Sequence, residues 1–344
     1  MTVALDGNSL TINKLVNVAR DNENVEVTKE SWKRIDDCRD MLQDKIEAHE
    51  TMYGITTGIG EFSEVTLTPE QTQDFQKFLV RNHAAGIGDP MDIEIVRGAM
   101  CGRINVHTKG HSGGRRQITE YLRDALNHNI VPVVCEKGSV GACGDLAPMS
   151  QIALALMGEG EMFVNGKIVD SKTALKNVGL EPLELEARDG LSLINGSNVL
   201  TALAAIVLHD AERWMKMHDI AAAMSLEALK ANMKPYDKRI HSLRGFKGSQ
   251  KIAANLNLLT EDSEILFSGE KKVQDAYSMR STPQVAGTLR DSLEFARKQI
   301  EIELNGVGDN PIFLTKEKEV LTGANFQGSP VALPMEMIGT GLSM

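Results

Sequence analysis

The densest run of small residues in the chain is Gly138-Ser-Val-Gly-Ala-Cys-Gly-Asp-Leu-Ala-Pro148. It follows an apolar run at 130–134 and precedes an apolar stretch at 149–157, so the pattern predicts a loop that leads into a helix. The run does not match a phosphate-binding loop, because it contains neither the GxGxxG nor the GxxxxGK(S/T) pattern of nucleotide sites. Cys143 could act as a nucleophile, as thiols near helix N-termini do, but Asp145 stands where a nucleophile elbow needs glycine. A tight structural turn is the third alternative.

Two residues at the end of this loop favour a helix start. Asp145 is suited to an N-terminal cap or to the positive end of a helix dipole, and Pro148 is suited to the first helical turn. We therefore expect a helix to begin here.

Helical periodicity dominates the rest of the chain. Between Gln284 and Leu304 one apolar stripe recurs at spacings of four, three, four and four residues. Its members are Leu289, Leu293, Ala296, Ile300 and Leu304. The segment Asn198–Met233 is apolar on several sides, which predicts a helix buried among other helices. Thr28 is suited as the N-cap of a helix over Lys29–Ile46.

Strand patterns are few and short, at 130–134 and 162–169. The second contains Asn165-Gly166, a favoured two-residue hairpin turn. Long helices with a few short strands predict a mainly α protein.

Composition excludes several classes of protein. With 37 basic and 47 acidic residues the net charge is −10, which argues against a nucleic-acid binder. No apolar run of 18 residues is free of charges and no secretory signal is present, so we expect neither a membrane span nor export. The four cysteines lie far apart, which indicates reduced thiols in a cytoplasmic protein. The histidines show no metal-ligand spacing, and we expect no metal.

The loop at 138–148 resembles the signature of the aromatic amino-acid ammonia-lyases, the histidine and phenylalanine/tyrosine lyases, whose loop has serine where this chain has Cys143. The resemblance covers essentially the whole chain, in family order. The other matching segments are Tyr53-Gly-Ile-Thr-Thr-Gly-Ile-Gly60, His83-Ala-Ala-Gly-Ile-Gly88, Leu193-Ile-Asn-Gly196, Val273-Gln-Asp-Ala-Tyr-Ser-Met-Arg280, Gly308-Asp-Asn-Pro311 and Gly323-Ala-Asn-Phe326.

In that family the central triad of the loop cyclises into 4-methylidene-imidazol-5-one (MIO), an electrophile that captures the substrate amine. The resemblance implies that Ala142, Cys143 and Gly144 form it here, without an external cofactor. Ring closure needs the Gly144 nitrogen pressed onto the Ala142 carbonyl, which small residues permit. Cys143 in place of serine would leave as hydrosulfide. The alternative is a triad that stays uncyclised.

The resemblance also implies roles for residues outside the loop. Two are proton-transfer or active-site tyrosines: Tyr53 and Tyr277. Five would contact substrate: His83 and Phe326 on the ring, Asn195 and Gln274 as polar groups on the amine and carboxylate side, and Arg280 on the carboxylate. Each has a structural alternative, such as a core aromatic residue, a structural histidine or, for Arg280, a surface ion pair. Gln327 matches the plant-type phenylalanine lyases, whereas His83 favours a histidine-type pocket.

The implied fold is a fumarase/aspartase-like long helical bundle with a mixed N-terminal region that holds the loop. We expect residues 1–196 to form that mixed domain and residues 197–344 to form the first part of the bundle, truncated relative to the family. The family fold also implies a tetramer or other homo- or hetero-oligomer. The end at 330–344 is apolar with one charge, Glu336. It either packs on its own core or is a helix completed by a second polypeptide, which would make a split, hetero-oligomeric enzyme.

The function implied is elimination of ammonia from an aromatic L-amino acid, with L-histidine to urocanate as the first hypothesis. A phenylalanine or tyrosine lyase or an aminomutase is the alternative within the family. An MIO-free lyase, for example on a trimethylammonium compound, or a non-catalytic subunit is a further alternative. A helical scaffold without catalysis is disfavoured, because a scaffold has no need of Tyr53, Asn195, Tyr277 and Arg280.

Overall fold

The computed structural model describes residues 2–141 and 143–344, so the prediction for Ala142 lies outside the described residues. Helices predominate, which confirms the predicted mainly α fold class. Contacts divide the chain into two compact units. The first runs to Ile206 and includes Ile300–Val331, and the second comprises Val207–Gln299 with Ala332–Met344.

The helices of the N-terminal half are α1 (Ile12–Arg20), α2 (Lys29–Glu47), α3 (Pro69–His83), α4 (Ile93–His107), α5 (Arg116–Asn127), α6 (Leu146–Leu156), α7 (Ser171–Asn177) and α8 (Asp189–Ile194). The later helices are α9 (Asn198–Ala228), α10 (Lys238–Arg244), α11 (Lys247–Leu259), α12 (Glu264–Phe267), α13 (Tyr277–Arg280), α14 (Thr282–Leu304) and α15 (Ser329–Leu342).

The strands are short and form four small sheets. They are β1 (Thr2–Leu5), β2 (Asn24–Val27), β3 (Ile87–Pro90), β4 (Ile130–Pro132), β5 (Cys135–Lys137), β6 (Glu161–Val164), β7 (Lys167–Asp170), β8 (Ile312–Leu314) and β9 (Glu319–Leu321). The pair β1–β2 is parallel, whereas β3–β5, β4–β6–β7 and β8–β9 are antiparallel. At the β6–β7 turn both Asn165 and Gly166 have positive φ, as a type I′ hairpin requires, so the predicted hairpin is confirmed.

Helix α4 is buried over most of its length. Every residue from Val96 to His107 is buried, including Arg97 and Arg103. Gly98 allows α9 to pack closely against α4, because a Cβ on Gly98 would lie 3.0 Å from Ala202 Cβ near the start of α9. Charged side chains on a helix this deeply buried must pair with other polar groups in the interior of the protein. Such pairs support the site described below.

The predictions for individual helices are confirmed in two cases. Thr28 caps α2 by accepting a hydrogen bond from the Ser31 amide at 3.2 Å. The five stripe residues predicted in α14 are all buried.

The prediction for α9 is wrong in two respects. The helix ends at Ala228 rather than Met233, and Lys230 beyond it has a φ of +51°. It is also not buried on all sides, since Val207, Trp214 and Met217 are 38%, 49% and 61% exposed. They lie along one face at helical spacing, and that face is partly exposed.

The stretch Asp189–Ala228 is long and apolar enough to cross a membrane on length and composition alone, although 78% of its most apolar window is buried inside the fold. The sequence prediction of no such stretch is therefore corrected. Burial of this kind is what the core helix of a soluble protein also shows.

Helix α15 packs one face and exposes the other. Ile338 is buried, and Gly341 lies so close to α14 that a Cβ would be 3.0 Å from Leu289 Cδ1. Leu333, Leu342 and Met344 stay exposed. The apolar terminus thus packs in part on its own unit, as the first of the two alternatives expected.

Candidate active site

The loop before α6 is a tight turn with its central side chain directed to solvent. Gly141 and Gly144 have φ values of +71° and +77°, which favour glycine, and the two residues form an isolated antiparallel bridge. Cys143 is exposed. The turn therefore brings the backbone on either side of residues 142–143 together, as the proposed ring closure requires.

Asp145 lies at the N-cap position of α6, where the helix was predicted to begin, but its carboxylate makes no capping hydrogen bond to that helix. It accepts instead from Ser139 Oγ at 2.7 Å and from the Leu200 amide in the first turn of α9 at 2.8 Å. Burial raises the pKa of this carboxyl group, opposed by the hydrogen bond from Leu200. The side chain fastens the loop to the N-terminus of α9, which the linear sequence does not reveal.

Gly144 lies against the backbone of Gly196. A Cβ on Gly144 would come within 2.8 Å of the Gly196 carbonyl oxygen, and that oxygen accepts from the Asp145 amide at 2.8 Å. Only glycine fits this cradle. The described residues of the triad thus suit MIO, since the turn is compressed at Gly144 and leaves the Cys143 side chain free to depart.

Asn195 is 5% exposed and held on both sides. Its Nδ2 donates to the Asn310 carbonyl at 2.7 Å, and its own carbonyl accepts from Arg103 Nη1 at 2.9 Å. Because Gly196 follows directly, Asn195 lies on the segment that contacts the loop at Gly144.

Tyr53 lies in a glycine-containing loop that is tied to the same region. Its hydroxyl accepts from the Gly60 amide at 3.3 Å, so its own proton is not committed to that partner. Buried Gln76 bridges the loop to α8, donating to the Gly54 carbonyl at 3.2 Å and accepting from the Leu191 amide at 3.1 Å.

His83 is the last residue of α3 and is half-buried. Its Nδ1 lies 2.8 Å from the Leu79 carbonyl, which can only accept, so Nδ1 carries the proton and Nε2 is an acceptor in the neutral ring. Gly86, three residues after His83, lies close to the loop before α6, because a Cβ on Gly138 would lie 3.1 Å from Gly86 Cα.

Phe326 is half-buried in the first unit. Its carbonyl accepts from Ser197 Oγ at 2.6 Å, which joins its segment to the residues after Asn195. The first unit thus connects the segments that carry Tyr53, His83, Gly144, Asn195 and Phe326.

The other three predicted residues lie in the second unit. Gln274 is exposed, and Tyr277 is 71% exposed. The Arg280 guanidinium lies over the Tyr277 ring, 5.0 Å from its centroid. Arg280 Nε is buried without a hydrogen-bond partner among the described residues, which suits an arginine that awaits a carboxylate.

Sequence reasoning missed three buried polar residues that organise the site: Gln76, Arg103 and Asp309. Asp309 does belong to a segment that matches the family, Gly308–Pro311, but that match alone assigns it no role. Neither Gln76 nor Arg103 has any pattern in its sequence neighbourhood that distinguishes it from a surface residue on a helix.

Two of the other cysteines are buried. Burial raises the pKa of Cys38 and of Cys101 to about 12, so neither is a nucleophile. Among the residues the structure describes, no three histidine, cysteine or acidic side chains are grouped to hold a metal ion.

The model of the aromatic amino acid lyase family matches residues 10–344. Histidine ammonia-lyase of Clostridium tetani (strain Massachusetts / E88) is 41% identical over 340 residues, 98% of this chain and 66% of that protein. Histidine ammonia-lyase of Alkaliphilus metalliredigens (strain QYMF) is 38% identical over 342 residues, 99% of this chain and 68% of that protein.

Solved structures of proteins named as lyases or related enzymes are also similar to this chain. Histidine ammonia-lyase from Trypanosoma cruzi superposes with a TM-score of 0.91 at 34% identity, covering 99% of this chain and 65% of that one. The ergothioneine-degrading enzyme ergothionase from Treponema denticola gives 0.93 at 28% identity, covering 100% and 69%.

Fold and sequence match together define a carbon–nitrogen lyase of mainly helical fold. The chain belongs to the aromatic amino acid lyase family. It spans about two thirds of the length of the relatives given above.

Proposed function

We propose that this chain is an L-histidine ammonia-lyase that forms urocanate and ammonia, using MIO made from Ala142, Cys143 and Gly144. The observation that supports it most directly is the turn at Gly141–Gly144, compressed against Gly196 with Cys143 exposed. MIO would supply an electrophile that makes the substrate nitrogen a better leaving group. The relatives named histidine ammonia-lyase support the choice of substrate.

The residues of this chain supply the rest of the chemistry. Tyr53, with its hydroxyl deprotonated, removes a proton from the substrate Cβ and becomes the neutral phenol; the Cα–N bond then breaks, the C=C bond forms and ammonia leaves. Asn195 and Gln274 bind the polar end of the substrate, and the Arg280 fork binds its carboxylate. The acceptor Nε2 of His83 suits the N–H of an imidazole ring, which Phe326 covers. Tyr277 is the second tyrosine of the site.

Intact mass spectrometry of the purified chain tests the proposal. We expect a mass below the encoded value by one water and one hydrogen sulfide, with the difference mapped to residues 142–144. Incubation with L-histidine should then raise absorbance in the urocanate band. A measured mass equal to the encoded value would refute MIO formation. A cyclised chain that acts on phenylalanine or tyrosine instead, or that yields a β-amino acid, would refute the histidine assignment.

A second candidate is an MIO-free lyase acting on a trimethylammonium substrate. Two observations favour it: Cys143 replaces the family serine, and ergothionase is among the structural relatives. A quaternary nitrogen leaves without covalent activation, so the triad need not cyclise. The test is release of trimethylamine from ergothioneine by a chain of unaltered mass. A chain inactive on all these substrates would be a non-catalytic subunit.

We propose further that the chain works as an oligomer in the cytoplasm, with residues 1–196 carrying the loop and residues 197–344 supplying helices of the bundle. The exposed face of α9 supports assembly. Val207, Trp214, Met217 and Met224 are 38–65% exposed on it, more apolar surface than a lone helix usually leaves in water.

The α9 face yields a prediction. Met217→Lys places a charge at its centre, so we expect light scattering after size exclusion to show a smaller assembly than the unmodified chain. Lys216→Met, one position away and off that face, is the control and should leave the mass of the assembly unchanged. A monomeric unmodified chain, or an M217K assembly of unaltered size, would contradict this role for the face.

Whether a second polypeptide is needed stays a prediction. Expression of this chain alone tests it, and a soluble, active protein without a partner would defeat the split-enzyme hypothesis.

A further inference from the structure

Two arginines and an aspartate form a fully buried ionic cluster in the first unit. Asp309 accepts from Arg103 Nη2 at 2.8 Å through one carboxylate oxygen and from Arg188 Nη2 at 2.7 Å through the other. All three side chains are 0% exposed. We refer to Arg103, Arg188 and Asp309 as the buried cluster.

A buried ion group of this kind is costly, because each charge loses its hydration, and apolar residues of similar volume often serve stability as well or better. Stability alone therefore does not account for it, and the remaining hydrogen bonds of the cluster point to a positioning role.

Arg103 uses its other donors on the segment that supports the loop. Its Nε donates to the Ser192 carbonyl at 2.6 Å, and its Nη1 donates to the Asn195 carbonyl at 2.9 Å. The same Nη1 reaches the Gly308 carbonyl at 3.2 Å. One guanidinium thus fixes both ends of 192–195 and ties them to 308.

Arg188 holds the opposite side. Its Nη1 donates to the Asn310 carbonyl at 2.9 Å, and that carbonyl also accepts from Asn195 Nδ2 at 2.7 Å. The Asn195 side chain is thereby positioned by a carbonyl that Arg188 itself fixes.

Gly196 is enclosed between this cluster and the loop. A Cβ on Gly196 would lie 2.7 Å from the Gly308 carbonyl oxygen and 2.9 Å from Arg103 Nη1. On the other side, a Cβ on Gly144 would lie 2.8 Å from the Gly196 carbonyl oxygen. Gly196 cannot retreat from Gly144 without displacing Arg103 or Gly308.

From this geometry we propose that the buried cluster is a positioning device for ring closure: Arg103 and Asp309 hold Gly196 as a fixed backstop that keeps Gly144 compressed in the turn, and Arg188 orients Asn195 through the Asn310 carbonyl. This role deepens the proposed function and depends on it for the chemical step. In that step the Gly144 nitrogen bonds to the Ala142 carbonyl carbon, the carbonyl oxygen leaves as water, and Cys143 loses hydrogen sulfide. No oxidant or reductant is needed.

Arg103→Lys and Asp309→Asn test the role. Lysine keeps the charge but not the fork that reaches three carbonyls, and asparagine keeps the shape of Asp309 without its charge. The matched control is Arg97→Lys. Arg97 lies on the same helix, is equally buried, and donates to the Val18 and Leu126 carbonyls rather than to the 192–196 segment.

Two readouts are measured on each variant. Intact mass followed over time after rapid purification gives the rate of cyclisation, which we expect to fall about 100-fold in R103K and D309N, the cost of roughly 1 Å of misplacement. Hydrogen exchange of the Asp145 amide, which donates to the Gly196 carbonyl, should speed up in both variants. R97K should alter neither, even if it lowers thermal stability.

The outcomes separate the two proposals. An unmodified chain that never loses mass refutes MIO formation, and the backstop role is then decided by the Asp145 amide alone. If the Asp145 amide exchanges at the same rate in R103K, D309N and R97K, the backstop role is refuted, whether or not the chain has lost mass. Cyclisation at the normal rate in R103K and D309N refutes it as well.

Discussion

Alanine in place of Gly144 is expected to abolish cyclisation and to lower activity by on the order of 10³-fold or more, as removal of a covalent catalyst does. Two effects combine at this residue. A φ of +77° costs an L-residue about 1–2 kcal/mol, and the new Cβ would overlap the Gly196 carbonyl, at 2.8 Å. The turn must therefore open and carry the attacking nitrogen away from residue 142. Intact mass and the urocanate assay measure the result.

Gly179→Ala is the matched control. Gly179 has nearly the same φ, +78°, but a Cβ there meets nothing within 4 Å. The conformational cost is thus shared while the overlap is not. We expect G144A to lose at least as much thermal stability as G179A, and only G144A to keep the encoded mass. Full cyclisation of G144A would show that compression against Gly196 is not required.

Tyr53→Phe is expected to lower kcat by about 10²–10⁴-fold, the range for loss of a general base. The variant should still show the full loss of mass that accompanies cyclisation. In the proposed mechanism Tyr53 takes part in proton transfer, but it lies on a different segment from the triad that is proposed to cyclise. The neighbouring Gly60 amide loses only one weak acceptor, at 3.3 Å, so the loop should keep its fold.

Tyr121→Phe provides the comparison for this variant. Its hydroxyl donates to the Glu181 carbonyl at 2.9 Å, away from the segments of the site. Steady-state kinetics of the two variants, with circular dichroism to check folding, should separate loss of a catalytic group from loss of any tyrosine hydroxyl. Unchanged turnover in Y53F would remove Tyr53 from the mechanism.

Much of the local structure follows from the sequence because it depends on neighbours in the chain. The Thr28 cap, the apolar stripe of α14 and the Asn165-Gly166 hairpin are all set within a few residues. The tight turn at 138–145 also follows, since its glycines are needed for positive φ. The resemblance then supplies the candidate site, which local patterns alone would not.

The rest depends on partners that are distant in sequence. Asp145 has the composition of a cap for α6, yet its carboxylate serves α9, 55 residues further on. The apolar sides of α9 predict burial, but periodicity cannot say whether a neighbour within the same chain covers them. Arg103 is the clearest case, because a charged residue on a helix is ordinarily assigned to the surface.

The buried cluster also fixes when the site can be completed. Arg103 meets an aspartate that follows it by 206 residues, and ribosomes add about 5–20 residues each second, so roughly 10–40 s pass between synthesis of the two partners. In the proposed role of the cluster, Gly196 lacks its support until Asp309 emerges, so the triad would cyclise only after that point. The reactive alkene of the proposed MIO would then be withheld from the nascent chain and from its thiols.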